Sequence, residues 1–239
     1  MAFKILHQDD CIIAIEKPAG FIVHAHENPQ HQISNRWNCL YILNRQLKQY
    51  LYPVHRIDRA TSGVLVFALN KMSAANLQQQ FREKTILKKY YCVARGFVDT
   101  QNQIHTIDEN KESITNYRCL KTIELPYAIG RYPTARYSLV EVHPITGRLH
   151  QIRKHFSHIS HHLIGDRIYG DGKHNLFFRN ELKIDPLLLK SYSISFTHPK
   201  SAQTVTLYSH WTHAWHQVFD LFNICPYSAK EASADSIFS

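Results

Sequence analysis

The amino-acid sequence predicts one α+β domain with a central cleft, and three observations carry that reading. Stretches of strand periodicity alternate with stretches of helical spacing along the chain. No internal repeat and no linker-like shift in composition divides the 239 residues. At 44% hydrophobic and 12% aromatic residues, a chain of this length buries a sizeable core, which excludes disorder as its main character.

Residues 4–6 and 11–15 read as short strands, Lys17-Pro18-Ala19-Gly20 as a turn, and 21–24 as the next strand. From Ser34, at an N-cap position, the apolar residues Trp37, Leu40, Tyr41, Leu47 and Leu51 fall on one helix face directed at the core. A loop over 53–61 leads into 63–69, a continuous apolar run of strand length. The helical stretch 73–81 follows, with Ala74, Leu77 and Phe81 on one side. Segments 88–98, 114–120 and 136–143 are β-rich, Ile145-Thr146-Gly147 is a turn, and 150–160 a short helix. Strands 187–196 and 204–208 flank a hairpin loop over 197–203, before a final amphipathic helix carrying Trp211, Trp215, Val218, Phe219 and Phe222. Residues 1–225 form the domain on this reading, and 226–239, small and polar, a frayed tail.

Several classes fall away. The longest apolar run, 11–15, meets Glu16 and Lys17 at once, far short of the roughly 20 residues that cross a bilayer. Met1-Ala2-Phe3-Lys4 lacks the sections of a signal peptide, so the cytoplasm is the expected location. Cys11, Cys39, Cys92, Cys119 and Cys225 form no CxxC pair, which argues against a disulfide framework and a thiolate zinc site. They are expected to be reduced and mostly buried.

Lys plus Arg number 28 against 19 Asp plus Glu, a formal charge of +9 at pH 7 that favours a polyanionic partner. The segment 82–96 holds Arg82, Lys84, Lys88, Lys89 and Arg95 against Glu83 alone, with Tyr90 and Tyr91 among them. Cations interleaved with aromatic rings suit phosphates and unstacked bases together. A second focus, 148–173, carries Arg148, Arg153, Lys154, Arg167 and Lys173.

The densest chemistry is His55-Arg56-Ile57-Asp58-Arg59-Ala60-Thr61-Ser62-Gly63, directly before the apolar strand. Neighbouring cations favour an ionised Asp58, which local chemistry reads either as a nucleophile or base, or as the partner of Arg56 or Arg59 in a structural salt bridge.

That segment resembles the H-R-x-D-x-x-T-S-G hallmark of the RluA-type pseudouridine synthases. Residues 12–23, IIAIEKPAGFIV, resemble the family's opening strand, Lys-Pro-x-Gly turn and second strand, although Glu16 stands where Asn is common. Lys88-Lys89-Tyr90 is similar to its K-x-Y segment. Gly147-Arg148-Leu149-His150-Gln151-Ile152-Arg153 with His155, and Gly165-Asp166-Arg167-Ile168-Tyr169-Gly170, are similar to its long G-R-x-H-Q-I-R-x-H and G-D-x-x-Y-G stretch. The resemblance covers roughly 3–210 in the family's order. His162 stands where a proline is usual and is expected to loosen a turn.

The resemblance implies a catalytic domain with a mixed, largely antiparallel sheet flanked by helices around an RNA-binding cleft, without an S4 module, cofactor or metal. It implies isomerisation of a uridine inside RNA: the N-glycosidic bond breaks, the base turns, and C5 is rejoined to the sugar. By the same resemblance Asp58 is the nucleophile, a carboxylate able to attack the sugar or the ring and leave again. Arg153 matches the arginine that faces this aspartate. Tyr90 matches the active-site tyrosine, whose ring stacks on uracil and whose hydroxyl helps remove the C5 proton. Arg56 matches a residue that helps displace the target nucleotide. Arg59, Lys88, Lys89, Arg148, His150 and Lys154 are further expected RNA contacts. The basic foci should flank the cleft with Asp58 at its base.

The chain looks most like the TruC-like branch, on the segments 128–137 and 170–175. That branch modifies a uridine at position sixty-five of tRNA, so tRNA is the expected partner, with no membrane and no obligate protein partner. Another tRNA site or an rRNA is the alternative. His150, His155, His158, His161 and His162 lack HExxH or an acidic partner and are expected to meet RNA phosphate or local hydrogen bonds rather than metal. A glycoside hydrolase would need a second acid, for which Asp58 has no convincing candidate. A non-catalytic RNA binder would have no use for an aspartate among these cations.

Overall fold

The computed structural model describes residues 2–24, 33–108 and 111–226. Its strands are β1 (Ile5–Gln8), β2 (Ile12–Lys17), β3 (Tyr52–Pro53), β4 (Ser62–Ala68), β5 (Leu87–Arg95), β6 (Gln101–Asp108), β7 (Lys111–Leu125), β8 (Ala135–Pro144), β9 (Leu189–Thr197) and β10 (Thr204–Tyr208). The helices are α1 (Cys39–Leu47), α2 (Lys71–Arg82), α3 (Gln151–His158), α4 (Gly172–Asn180) and α5 (His213–Phe222). The strands make one sheet in the order β1-β2-β4-β9-β5-β8-β7-β6, with β3 on β4 and β10 on β9. The architecture is the α+β, largely antiparallel sheet flanked by helices that the sequence predicts.

One seam is parallel. β4 meets β9 through Ser62 opposite Lys190 and Gly63 opposite Ser191, after which β9 takes β10 as its partner on that edge. Gly63 sits at φ +128, where a Cβ would lie 2.0 Å from the carbonyl oxygen of Ser191. Only glycine lets the backbones approach this closely.

Period-two alternation sorts the core onto both faces. Tyr91, Val93, Tyr137, Leu139 and Tyr192 face α4 and α5, while Tyr90, Cys92, Val140 and Val142 face α3 through Ile152 and Phe156. Beyond the seam, Ile13, Ile15, Leu65 and Phe67 pack against Cys39 and Leu43 of α1.

Four expectations are corrected. Residues 21–24 form no strand; Ile22 makes an isolated bridge to Asn38, with Phe21 and Val23 buried. The helix expected from Ser34 begins at Cys39, because the Asn38 side chain accepts from the Tyr41 amide, and it ends at Lys48 in the left-handed region, leaving Leu51 outside. β6 was not expected: its sequence QNQIHTID is an edge strand that buries Ile104 and little else, so it carries no apolar alternation. α4 was not expected either; Asp171 caps it by accepting from the amides of Lys173 and His174. Cys11, Cys39 and Cys92 are buried free thiols, Cys119 is half-buried and Cys225 exposed. Of the expected tail, 227–239 lie outside the described residues. No helix among the described residues is long and apolar enough to cross a membrane.

Gly63→Ala should destabilise the protein by about 3 kcal/mol or more, by parting β4 from β9. Chemical denaturation of the variant against wild type measures this.

Candidate active site

Asp58 lies on the loop between β3 and β4, and backbone bonds fix that loop from two sides. The Thr61 amide donates to the Asp58 carbonyl at 3.1 Å, closing a turn, and the Gly20 amide donates to the Arg59 carbonyl at 2.7 Å. Beneath it, the fully buried Lys17 donates to the carbonyls of Pro18, Phe21 and Arg59. Burial pulls the Lys17 ammonium down to about 8. His55 accepts from the Val66 amide at 3.0 Å and stacks on Phe81, and burial pulls its imidazole down to about 3. These contacts explain why a short polar loop holds one conformation.

The Asp58 carboxylate faces Arg153, whose Nη1 donates to Oδ2 at 3.3 Å. Arg153 is nearly buried, with 4% of its side chain exposed, and turns its other edge onto Asp166 in a two-pronged pair of 2.7 and 2.8 Å. Asp166 also accepts from the amides of Ile168 and Tyr169. Burial would raise its carboxyl, but the hydrogen bonds from Arg153 and these amides outweigh it and hold the group below the usual carboxylate range. The Tyr169 ring lies 5.1 Å from the guanidinium, and its hydroxyl meets His150 Nδ1 at 3.0 Å.

Tyr90, on β5, is buried and hydrogen-bonded to the Ser191 hydroxyl. Burial pushes its phenol up to about 12, and the Asp58 charge adds to the rise, so the hydroxyl keeps its proton at neutral pH. Lys88, two residues earlier on the same face, donates to the Thr146 carbonyl at 3.1 Å, and burial pulls it down to about 8.

Thr146 belongs to the turn before α3, which Gln151 fastens. The Gln151 side chain accepts from the Thr146 hydroxyl and the Arg148 amide, and donates to the Ile114 carbonyl and the Thr115 hydroxyl. Every polar atom of this buried amide is used.

Loop, β5 and turn enclose a cavity of about 570 Å³, within the range of small-molecule sites. Arg56, Asp58, Lys88, Tyr90 and Arg148 all line it. Arg153 stands behind Asp58, and His150 borders the group through Tyr169. Arg59 turns back to the Gly20 carbonyl at 3.0 Å, and Lys154 is exposed on α3. Lys89 projects to the opposite face of the sheet, where it pairs with Glu141 at 3.2 Å and does not reach the cavity. The basic foci are likewise split: Arg82, Lys84 and Lys88 line the cavity, whereas Arg95, at the far end of β5, pairs with Asp171 at 2.7 Å.

His155, His161 and His162 meet local partners. His155 bonds Thr106, and burial pulls it down to about 4; His161 bonds the Arg95 carbonyl. His162 Nδ1 bonds the Tyr169 carbonyl at 2.7 Å, so it fastens the Asp166–Tyr169 turn rather than loosening it. Ligand atoms of Asp9, Cys11 and His198 also lie within 4.8 Å of one another. Hydrogen bonds explain that group: His198 Nδ1 accepts from the Lys200 and Ser201 amides, which leaves the proton on Nε2 to donate to Asp9 at 3.1 Å.

Sequence reasoning assigned no role to Asp166, Gln151 or Lys17. The signal for Asp166 was its place in the G-D-x-x-Y-G stretch, the other motif acid besides Asp58.

Comparison with known proteins decides what this arrangement belongs to. The family model of RNA pseudouridylate synthase matches residues 11–158. The chain belongs to that family. Its members isomerise uridine in RNA to pseudouridine. The chain is 35% identical to the tRNA pseudouridine synthase C of Vibrio vulnificus, over 92% of this chain and 95% of that one. It is 37% identical to the protein of the same name from Haemophilus influenzae, over 92% and 97%. The solved structure of Human RNA Pseudouridylate Synthase Domain Containing 4 shares the fold with a TM-score of 0.67, at 23% identity, over 92% of this chain and 93% of that one.

Asp166→Asn should cost about 3 kcal/mol of stability, since it leaves a buried guanidinium without its paired charge, and should lower turnover by misdirecting Arg153. Denaturation and turnover of the same preparation measure both. His55 and His155 stay neutral when folded but take up protons near their ordinary value when unfolded. Protons therefore bind the unfolded chain first, and stability falls as pH drops from about 6.5 towards 4. Melting temperatures at pH 7 and pH 5 should show the loss, and His155→Gln should recover part of it.

Proposed function

We propose that this pseudouridine synthase acts on tRNA in the cytoplasm, at the uridine of position sixty-five, with Asp58 as its nucleophile. The single observation that carries the chemistry is the Asp58 carboxylate, 17% exposed in the cavity and held at 3.3 Å by an arginine anchored on a second acid. The names of the Vibrio and Haemophilus relatives support tRNA as the substrate.

A uridine inside a stacked RNA cannot reach Asp58, so it is extruded into the cavity, at a cost of a few kcal/mol. Arg56, exposed on the cavity wall, is placed to meet the backbone of the displaced nucleotide. Arg148 and Lys88 add positive charge for phosphate, Lys88 less completely because of its lowered pKa. Asp58 attacks as the N-glycosidic bond breaks, which divides one difficult step into two. The base turns, C5 bonds to the sugar as the bond to Asp58 breaks and its carboxylate is released, N1 gains a proton and C5 loses one. Tyr90 offers its ring for stacking and a neutral hydroxyl. Tyr90 lines the same cavity as Asp58, so its hydroxyl is placed to take part in removing the C5 proton. The reaction is an isomerisation that balances without a cofactor.

Asp58→Ala should reduce tritium release from 5-tritiated uridine in tRNA by about 10⁴-fold or more, with RNA affinity largely retained. Release at the wild-type rate would defeat the mechanism. Carbodiimide sequencing of tRNA from deletion and parent strains tests the position, and an unchanged T-stem uridine would sink that choice.

A further inference from the structure

The end of the sheet farthest from Asp58 carries a second collection of rings and cations. Phe97, Tyr127 and Tyr132 are 44%, 44% and 50% exposed. The Arg136 guanidinium lies 5.3 Å from the Phe97 ring and that of Arg131 5.0 Å from the Tyr132 ring. The connection between β7 and β8 turns here at Gly130, with Ile129 and Tyr132 bridged across it. Lys173, from the first turn of α4, lies against the same turn: a Cβ on Gly130 would sit 4.0 Å from its Nζ. Segments 128–137 and 170–175, on which the chain resembles the tRNA-modifying branch, therefore meet in one surface.

The acids beside this surface are already committed. Glu124 takes Arg136 at 3.1 Å and Asp171 takes Arg95 at 2.7 Å. Arg131 and Lys173 leave the surface cationic. Exposed rings among cations stack on unpaired bases while the charges meet phosphate, whereas a duplex keeps its base faces covered.

β5 runs about 23 Å from Lys88 at the cavity to Arg95 beside this surface, at roughly 3.3 Å per residue. Val142 stands opposite Tyr90, and by alternation Arg136 falls on the same sheet face. α3 covers that face between the two ends, and its exposed Lys154 and His158, four residues apart, share its outer side. Beyond α3, His161 reaches Gly96, where a Cβ would lie 3.1 Å from its Nδ1. A cationic surface thus runs from the cavity over α3 to the exposed rings.

We infer that Tyr132, Phe97 and their arginines hold the unpaired 3′ nucleotides of the substrate tRNA while its uridine occupies the Asp58 cavity. This rests on the tRNA reading of the substrate. A T-stem uridine adjoins the acceptor stem, whose length is comparable with the separation of the two sites and whose far end is single-stranded. The bases of the T loop are engaged in the tRNA elbow, so the 3′ nucleotides are the ones with ring faces to offer.

The test uses two RNAs labelled with 5-tritiated uridine: an intact tRNA, and the same tRNA ending at the last base pair of the acceptor stem. Single-turnover tritium release at increasing enzyme concentration gives a half-saturating concentration and a maximal rate, and filter binding gives affinity independently. Tyr132→Ala should weaken binding of the intact tRNA by roughly tenfold, the effect of one lost stack, with the maximal rate unchanged. Wild type should bind the truncated RNA more weakly by at least as much, and Tyr132→Ala should then cost almost nothing further. Tyr132→Phe should bind the intact tRNA as wild type does. Arg131→Gln should lower the salt dependence of binding by about one unit on the intact tRNA alone.

Equal weakening of both RNAs by Tyr132→Ala, or none on the intact tRNA, overturns the proposal. So does an unchanged RNA affinity accompanied by a change in oligomeric state on gel filtration, which would make the surface a contact between copies of the chain. If wild type releases no tritium from either RNA, the isomerase reading fails, while filter binding of the two RNAs still decides the docking. The melting temperature should be unchanged in both Tyr132 variants; a lowered value in Tyr132→Ala with equal weakening of both RNAs assigns the ring a structural role instead.

Discussion

The site depends on one guanidinium shared between two carboxylates. Arg153 is almost wholly removed from water, and a buried cation of this kind is tolerated only when its charge and its donors are matched. Asp166 supplies the permanent match, taking two parallel bonds and receiving backbone amides of its own. That leaves Nη1 for Asp58. Lysine could not replace it, because a single ammonium lacks the planar fork that addresses one acid along an edge while reaching a second. Asp58 is thereby held without being fully neutralised by a pair of its own, and it keeps a face towards the cavity.

Much of the scaffold serves to bring these three residues together. Asp58 and Arg153 lie 95 positions apart, and the fold joins them by placing β4 and β9 side by side and packing α3 over the adjoining strands. Ile57 and Ile152 belong to the same apolar cluster, so the residues immediately before Asp58 and Arg153 are buried in common. Packing therefore sets the separation of the two charges.

The sequence displayed the site's chemistry more fully than its geometry. The nine-residue segment around Asp58 stands out because so many side chains with special roles are adjacent. The strand after it is legible because it is buried on both faces and reads as an unbroken apolar run. Lys88 and Tyr90 share a face for the simple reason that strands alternate. The same rule places Lys89 on the other face, where it pairs with Glu141, whereas its length and charge in the sequence suit a phosphate contact equally well. β6 and α4 escaped for different reasons: one is a polar edge with little to bury, the other a short helix announced chiefly by its capping aspartate. Asp166 and Gln151 act through long-range hydrogen bonds, and spacing along a chain carries no record of those.

The two-pair seam between β4 and β9 has a mechanical side. Asp58 is carried by the half of the sheet that contains β4, and Tyr90 by β5, on the half that contains β9. Few backbone bonds join these halves directly, so a small twist about the seam would be levered into a change in the spacing of acid and phenol. The close contact at Gly63, the ion pair of Glu16 on β2 with Lys190 on β9, and the reach of Arg153 across the gap all brace that joint. The binding site is in this sense a clamp with jaws on separate arms, and its stiffness is decided at the pivot.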